Sequence, residues 1–130
     1  MSRQTPLLSN LSITENIALI LQVHEKLSRE DALQQAKEAL ESLDLGYLCE
    51  FRYNNCNLKE TFHIQLIRAI MIKGSQIIID QPFSLVREEL SLDFIFKALE
   101  KLKISINTVL ILDLNHQKNY YKESPCLIIK

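Results

Sequence analysis

The chain contains Ile77-Ile78-Ile79 followed directly by Asp80-Gln81-Pro82-Phe83, and at this run it turns from helices to sheet. Three β-branched residues in succession favour a strand over a helix, because their side chains are stiff at χ1 and pack well on a pleated surface. With no polar residue alternating among them, the strand reads as buried on both faces, the environment of a parallel sheet. Asp80 then sets a carboxylate at the strand's C-terminal end, where open α/β sheets bind ligands. Pro82 removes a backbone donor and closes the strand.

The bulk numbers narrow the class. A chain of 130 residues makes one domain, 1–130, with enough length for a real core. Its formal net charge of -1 offers no electrostatic case for nucleic acid or anionic lipid. Cys49, Cys56 and Cys126 are odd in number and far apart, which fits a reducing compartment and no disulfide framework. No apolar run reaches the ~18 residues of a membrane span, and the N-terminus lacks a secretory pattern. The expected location is cytoplasmic, peripheral to the cytoplasmic membrane only by docking on a membrane protein. Glycine is the most telling count. The two present, Gly46 and Gly74, stand apart from each other and from any G-x-x-x-x-G-K-[ST] pattern, so the chain has no phosphate-cradling loop.

Helix signals dominate the first part. Pro6 keeps the opening extended; Ser12 and Glu15 then have capping-box spacing, predicting a helix from Ile13 or Thr14 to about Val23. Ser28 and Asp31 repeat the start signal, and Ala32, Leu33, Ala36, Ala39, Leu40 and Leu43 form a stripe that ends near Gly46. Residues 47–57 read as a surface loop. A third helix starts at Asn57, with Glu60 three residues on, and runs to Lys73 before Gly74 stops it. A strand at 76–80, a helix at 87–103, a second buried strand at 108–112, a polar turn at 116–122 and a third strand at 127–129 complete the pattern. The predicted fold is α/β: a short parallel sheet of about three strands (residues 75–130) with an N-terminal helical subdomain (residues 1–74).

Several segments, in order, resemble the C-terminal part of an ABC-type P-loop NTPase domain. Gln4 and the run from Pro6 to Ile17 resemble the Q-loop and the LTVxEN stretch after it. Cys56-Asn57-Leu58-Lys59-Glu60 falls where the LSGGQ signature stands, and Leu66-Ile67-Arg68-Ala69-Ile70 is similar to the IARAL helix that follows. Ile77 to Phe83 resembles LLLDEPF, and Val109 to Leu112 the strand before the switch histidine. The length from Asp80 to Thr108 is similar to that in lipid-trafficking and small-solute ABC systems. The resemblance implies an ATPase domain of a transporter, begun partway through.

The same comparison of motifs implies a damaged copy. Gln81 occupies the position of the catalytic glutamate and cannot accept a proton, although an amide can still orient a water. Leu58, Lys59 and Glu60 put side chains where glycine would let backbone N–H groups meet the γ-phosphate, and Glu60 would repel it. Leu114 occupies the switch-histidine position, with His116 two residues late, and Ser84-Leu85-Val86-Arg87 lacks the D-loop aspartate. Asp80 keeps the carboxylate of the Mg²⁺ position, where the metal is normally held together with substrate phosphates.

The expectation is thus a degenerate ABC-transporter ATPase-like subunit or fragment that does not hydrolyse ATP alone and works through protein contacts. No cofactor is expected on this chain by itself; ATP and Mg²⁺ enter only if another chain completes the site. The partners implied are an ABC permease, an intact ATPase subunit, or a second copy through the exposed sheet, with no nucleic acid and no membrane contact except through a permease. One alternative is half of a split ATP-hydrolysing subunit. Another is a small α/β signalling module holding a divalent ion with strand-end carboxylates such as Asp80 and Asp113, although strand ends are often polar simply because they meet solvent. Cys49, Cys56 and His63 are too loosely spaced for zinc. In the family, the phosphate-loop strand lies inside the sheet, so here the sheet either closes up or is covered by another chain.

Overall fold

A computed structural model describes residues 10–74, 76–86, 93–105 and 109–113. Helices α1 (Ile13–His24) and α2 (Arg29–Ser42) lead into two 3-10 turns, Gly46–Leu48 and Tyr53–Asn55. Then come α3 (Leu58–Ile70), β1 (Ile77–Asp80), the single-turn α4 (Pro82–Leu85), α5 (Asp93–Lys101) and β2 (Val109–Leu112).

Each of the first three helices begins where its capping chemistry allows. Ser12 lies in extended backbone and accepts from the Glu15 N–H at 3.2 Å, while Glu15 accepts the Ser12 N–H at 3.0 Å. The next two orphan donors go to the linker: Ile13 N–H to the Phe51 carbonyl at 2.8 Å and Thr14 N–H to the Cys49 carbonyl at 3.3 Å. The segment expected as a surface loop therefore closes the start of α1, and it buries Leu48 completely. Ser28 caps α2 alone, through the Asp31 N–H at 3.2 Å.

The helical core follows from spacing. Ile13, Ile17 and Leu21 on α1 meet Ala32, Ala36 and Leu40 on α2, and all six are at most 1% exposed. Alanines at i and i+4 lie on one face, and their small side chains let the neighbouring helix approach closely. Phe62, Leu66 and Ile67 of α3 join the same core, each at or below 1% exposure.

Two helices end in the same motif, without glycine. In α2, Leu45 N–H bonds the Leu40 carbonyl at 2.8 Å and Asp44 N–H the Glu41 carbonyl at 3.0 Å, with Asp44 at φ 60°. In α5, Ile104 N–H bonds the Leu99 carbonyl at 2.9 Å and Lys103 N–H the Glu100 carbonyl at 3.1 Å, with Lys103 at φ 59°. Both are Schellman motifs with an L-residue in the left-handed position. The two ends meet, Lys101 Nζ lying 3.2 Å from Asp44 Oδ2. Thus α2 stops at Ser42, short of Gly46, while α3 stops at Ile70, three residues before the expected Lys73.

The sheet is two strands among the described residues. β1 and β2 run parallel with Ile77 opposite Val109, Ile78 opposite Leu110, Ile79 opposite Ile111 and Asp80 opposite Leu112. Ile77 and Ile79 are buried, but Ile78 is 44% exposed and Leu110 and Leu112 are each 42% exposed. Burial on both faces was expected of the first strand and burial of the second; among the described residues only one face of the ladder meets the core. A run of isoleucines specifies a strand, but the number of packed faces depends on what lies on either side. The expected third strand at 127–129, and residues 87–92 of the fourth expected helix, lie outside the described residues.

Candidate functional site

The segment at the signature position is the start of α3. Asn57 is its N-cap, with Oδ1 accepting the Glu60 N–H at 2.7 Å, and Glu60 Oε1 accepts the Asn57 N–H at 2.9 Å. The other oxygen of Glu60 accepts the hydroxyl of Tyr47, from the Gly46–Leu48 turn. That bond favours the protonated phenol and holds the Tyr47 pKa above its ordinary value of 10.0. Leu58 projects outward at 58% exposure. The Lys59 carbonyl lies 2.8 Å from His63 Nδ1, which must carry the proton, since a carbonyl only accepts.

Tyr47, Asn57, Lys59, Glu60 and His63 wall a groove of about 340 Å³, which Leu58 does not line. Leu43, Phe94 and Ala98 supply its apolar lining, and Lys59, Lys97 and Lys101 its cationic side. Phe94 also bridges two elements: its ring lies 5.2 Å from Phe62 of α3 and 6.1 Å from Phe83 of α4.

The second candidate segment is the end of β1. Asp80 is half-buried, and the register sets it beside Leu112 rather than Asp113. Gln81 takes a left-handed conformation, φ 50° and ψ 62°, and its N–H bonds the Leu112 carbonyl at 2.6 Å. Left-handed backbone in a non-glycine residue is costly and turns the chain sharply. Pro82 then occupies the first helical position of α4, where its missing N–H is no loss.

Asn57, Lys59 and Glu60 share the groove, but neither Asp80 nor Gln81 lines it. Among the described residues no group of three or more His, Cys, Asp or Glu side chains is placed to hold a metal. Gln4, Leu114 and His116 lie outside the described residues.

Sequence reasoning missed Tyr47, Phe94, Lys97 and Lys101 as neighbours of the signature position. Only the i, i+4 spacing of Lys97 and Lys101 hinted that they share a face. Arg68 of α3, named above only for its place in the helix after the signature, has its Nε buried without a hydrogen-bond partner, and burial lowers its pKa.

No family model matches the chain. It is 26% identical over 113 residues to the lipopolysaccharide export system ATP-binding protein LptB of Escherichia coli K12, covering 87% of this chain and 46% of that protein. It is 27% identical over 118 residues to the lipoprotein-releasing system ATP-binding protein LolD of Psychrobacter arcticus, covering 87% and 49% respectively. The chain spans about half the length of the curated relatives it matches. No described helix is long and apolar enough to cross a membrane. The chain is therefore a distant homologue of ABC-transporter ATP-binding proteins, matching a part of their length.

Proposed function

We propose that the chain is a degenerate ABC-type ATPase-like subunit or fragment that does not hydrolyse ATP alone and acts through protein contacts in a transport system. The observation that carries this reading is the closed start of α3. A helix N-terminus attracts phosphate through free N–H groups and its positive dipole end. Here the Glu60 carboxylate already occupies that end, bonded to Asn57 N–H and to the Tyr47 hydroxyl. A phosphate brought to the same place would meet a like charge.

Gln81 supports the same reading from the other segment. Its side-chain amide cannot take a proton from water, and its backbone N–H, in a left-handed residue, donates to the Leu112 carbonyl. Asp80 retains a carboxylate suited to Mg²⁺ only in company with phosphates. The names of the relatives suggest a system that moves lipid-bearing cargo, and the ABC-type resemblance implies a membrane permease as the protein partner.

Calorimetric titration of the purified chain with MgATP tests the proposal. No saturable binding and no phosphate release are expected. Micromolar affinity in the isolated chain would overturn it.

A further inference from the structure

One short segment holds the starts of two helices. The linker at 45–51 is wound turn on turn: Leu48 N–H bonds the Leu45 carbonyl at 2.9 Å, Cys49 N–H the Gly46 carbonyl at 3.2 Å and Phe51 N–H the Leu48 carbonyl at 2.9 Å. Leu48, fully buried, pins its middle to the core. The rings of Tyr47 and Phe51 meet edge to face, centroids 6.3 Å apart, and brace its two ends against each other. Local bonds this dense leave the segment little freedom to bend.

Its two ends reach different helices. Tyr47 donates its hydroxyl to Glu60, the carboxylate that closes the start of α3. At the start of α1, Phe51 accepts the Ile13 N–H at 2.8 Å, and Cys49 accepts both the Thr14 N–H at 3.3 Å and the Thr14 hydroxyl at 2.8 Å. The two grips differ in access. Tyr47 is 58% exposed, whereas Ile13 and Thr14 are buried. A buried N–H without an acceptor is costly, so the grip on α1 gives way only if the linker itself moves.

We propose that 45–51 is a strap coupling the two helix starts, so that releasing Tyr47 from Glu60 loosens the first turn of α1. Leu48 is the pivot. Whatever draws Glu60 away from Tyr47 is thereby felt at α1 without touching it. The coupling runs both ways, since a linkage between two sites is reciprocal. It stands on these hydrogen bonds alone and is independent of the ABC-type reading.

Hydrogen exchange of the full chain, read amide by amide by NMR, tests the strap. Tyr47→Phe keeps the ring and removes only the hydroxyl. Exchange at Ile13 and Thr14 should rise about fivefold, the effect of losing one net hydrogen bond, while Ala36 and Leu40 of α2 keep their rates. Gln34→Ala, which removes an exposed side-chain bond to Glu38 on α2, should leave Ile13 and Thr14 unchanged. In the reverse direction, Thr14→Val removes the hydroxyl bond to Cys49, and the Tyr47 phenol should then ionise at lower pH. If a variant melts early, the ratio of rates at Ile13 and Thr14 to those at Ala36 and Leu40 separates local release from general loss of stability. Unchanged rates at Ile13 and Thr14 in Tyr47→Phe would overturn the proposal. So would a rise shared equally by Ala36 and Leu40, or a Tyr47 titration indifferent to Thr14→Val.

Discussion

The hydroxyl of Tyr47 donates a hydrogen bond to one oxygen of Glu60, while the other oxygen receives the Asn57 backbone N–H. One carboxylate thereby ties the linker to the first turn of α3. Asn57→Ala should cost about 1 kcal/mol, the usual loss for an N-cap. Urea unfolding measures it; an unchanged midpoint would mean that the cap contributes nothing in solution.

The same bond predicts an alkaline response. Glu60 raises the Tyr47 pKa, so its contribution to stability is complete below the ordinary value of 10.0 and disappears as pH rises through the folded value. An absorbance titration should show one phenol ionising late, and Glu60→Gln should shift that step to lower pH.

Glu15 predicts the opposite, acid response. The Ser12 backbone N–H, then the Ser12 hydroxyl and Arg29, hold its pKa below the ordinary 4.5. The stability it adds is present above 4.5 and is lost as pH falls through the lower folded value. The stability difference between the natural chain and Glu15→Gln should therefore shrink towards zero in acid. A difference independent of pH would exclude this role. The Arg29 ion pair, 3.3 Å long with the arginine side chain 64% exposed, adds little.

Lys103 occupies a position that glycine fills without strain. Lys103→Gly should stabilise the chain by about 1 kcal/mol, since left-handed backbone costs an L-residue roughly that much. Lys103→Val should destabilise it. Thermal melts of the two variants that fell in the same direction would contradict the backbone argument.

Phe94, 7% exposed, packs its ring against Phe62 of α3 and Phe83 of α4. Phe94→Ala should cost about 3–5 kcal/mol by leaving a cavity between Phe62 and Phe83. Phe94→Leu should cost distinctly less, as measured by denaturant midpoints.

The helix starts were legible because their chemistry is local. Ser12 with Glu15, Ser28 with Asp31 and Asn57 with Glu60 each act across three residues, and each caps a helix as expected. The ends were harder to read. Asp44 and Lys103 adopt left-handed backbone without being glycine, so composition carried no sign of them. Of the candidate site, Asn57 and Glu60 could be placed from spacing, whereas Tyr47 reaches Glu60 across 13 residues and has no periodic signature. The Gln81 turn was equally hidden, and its N–H bonds the Leu112 carbonyl of a strand distant in sequence. The one-sided sheet was not legible either: three isoleucines record a wish for burial, and neighbours decide whether it is met.

The ladder also bears on the order in which the molecule assembles. α1, α2 and α3 are successive in the chain and draw on nearby partners, so they can condense early. β1 must wait for α4 and α5 to be made before β2 arrives, and that long closure is rewarded by only two short strands. Amide protons of β2 should therefore exchange with solvent before those of α1 and α2, so that among the described elements the ladder opens ahead of the helical core.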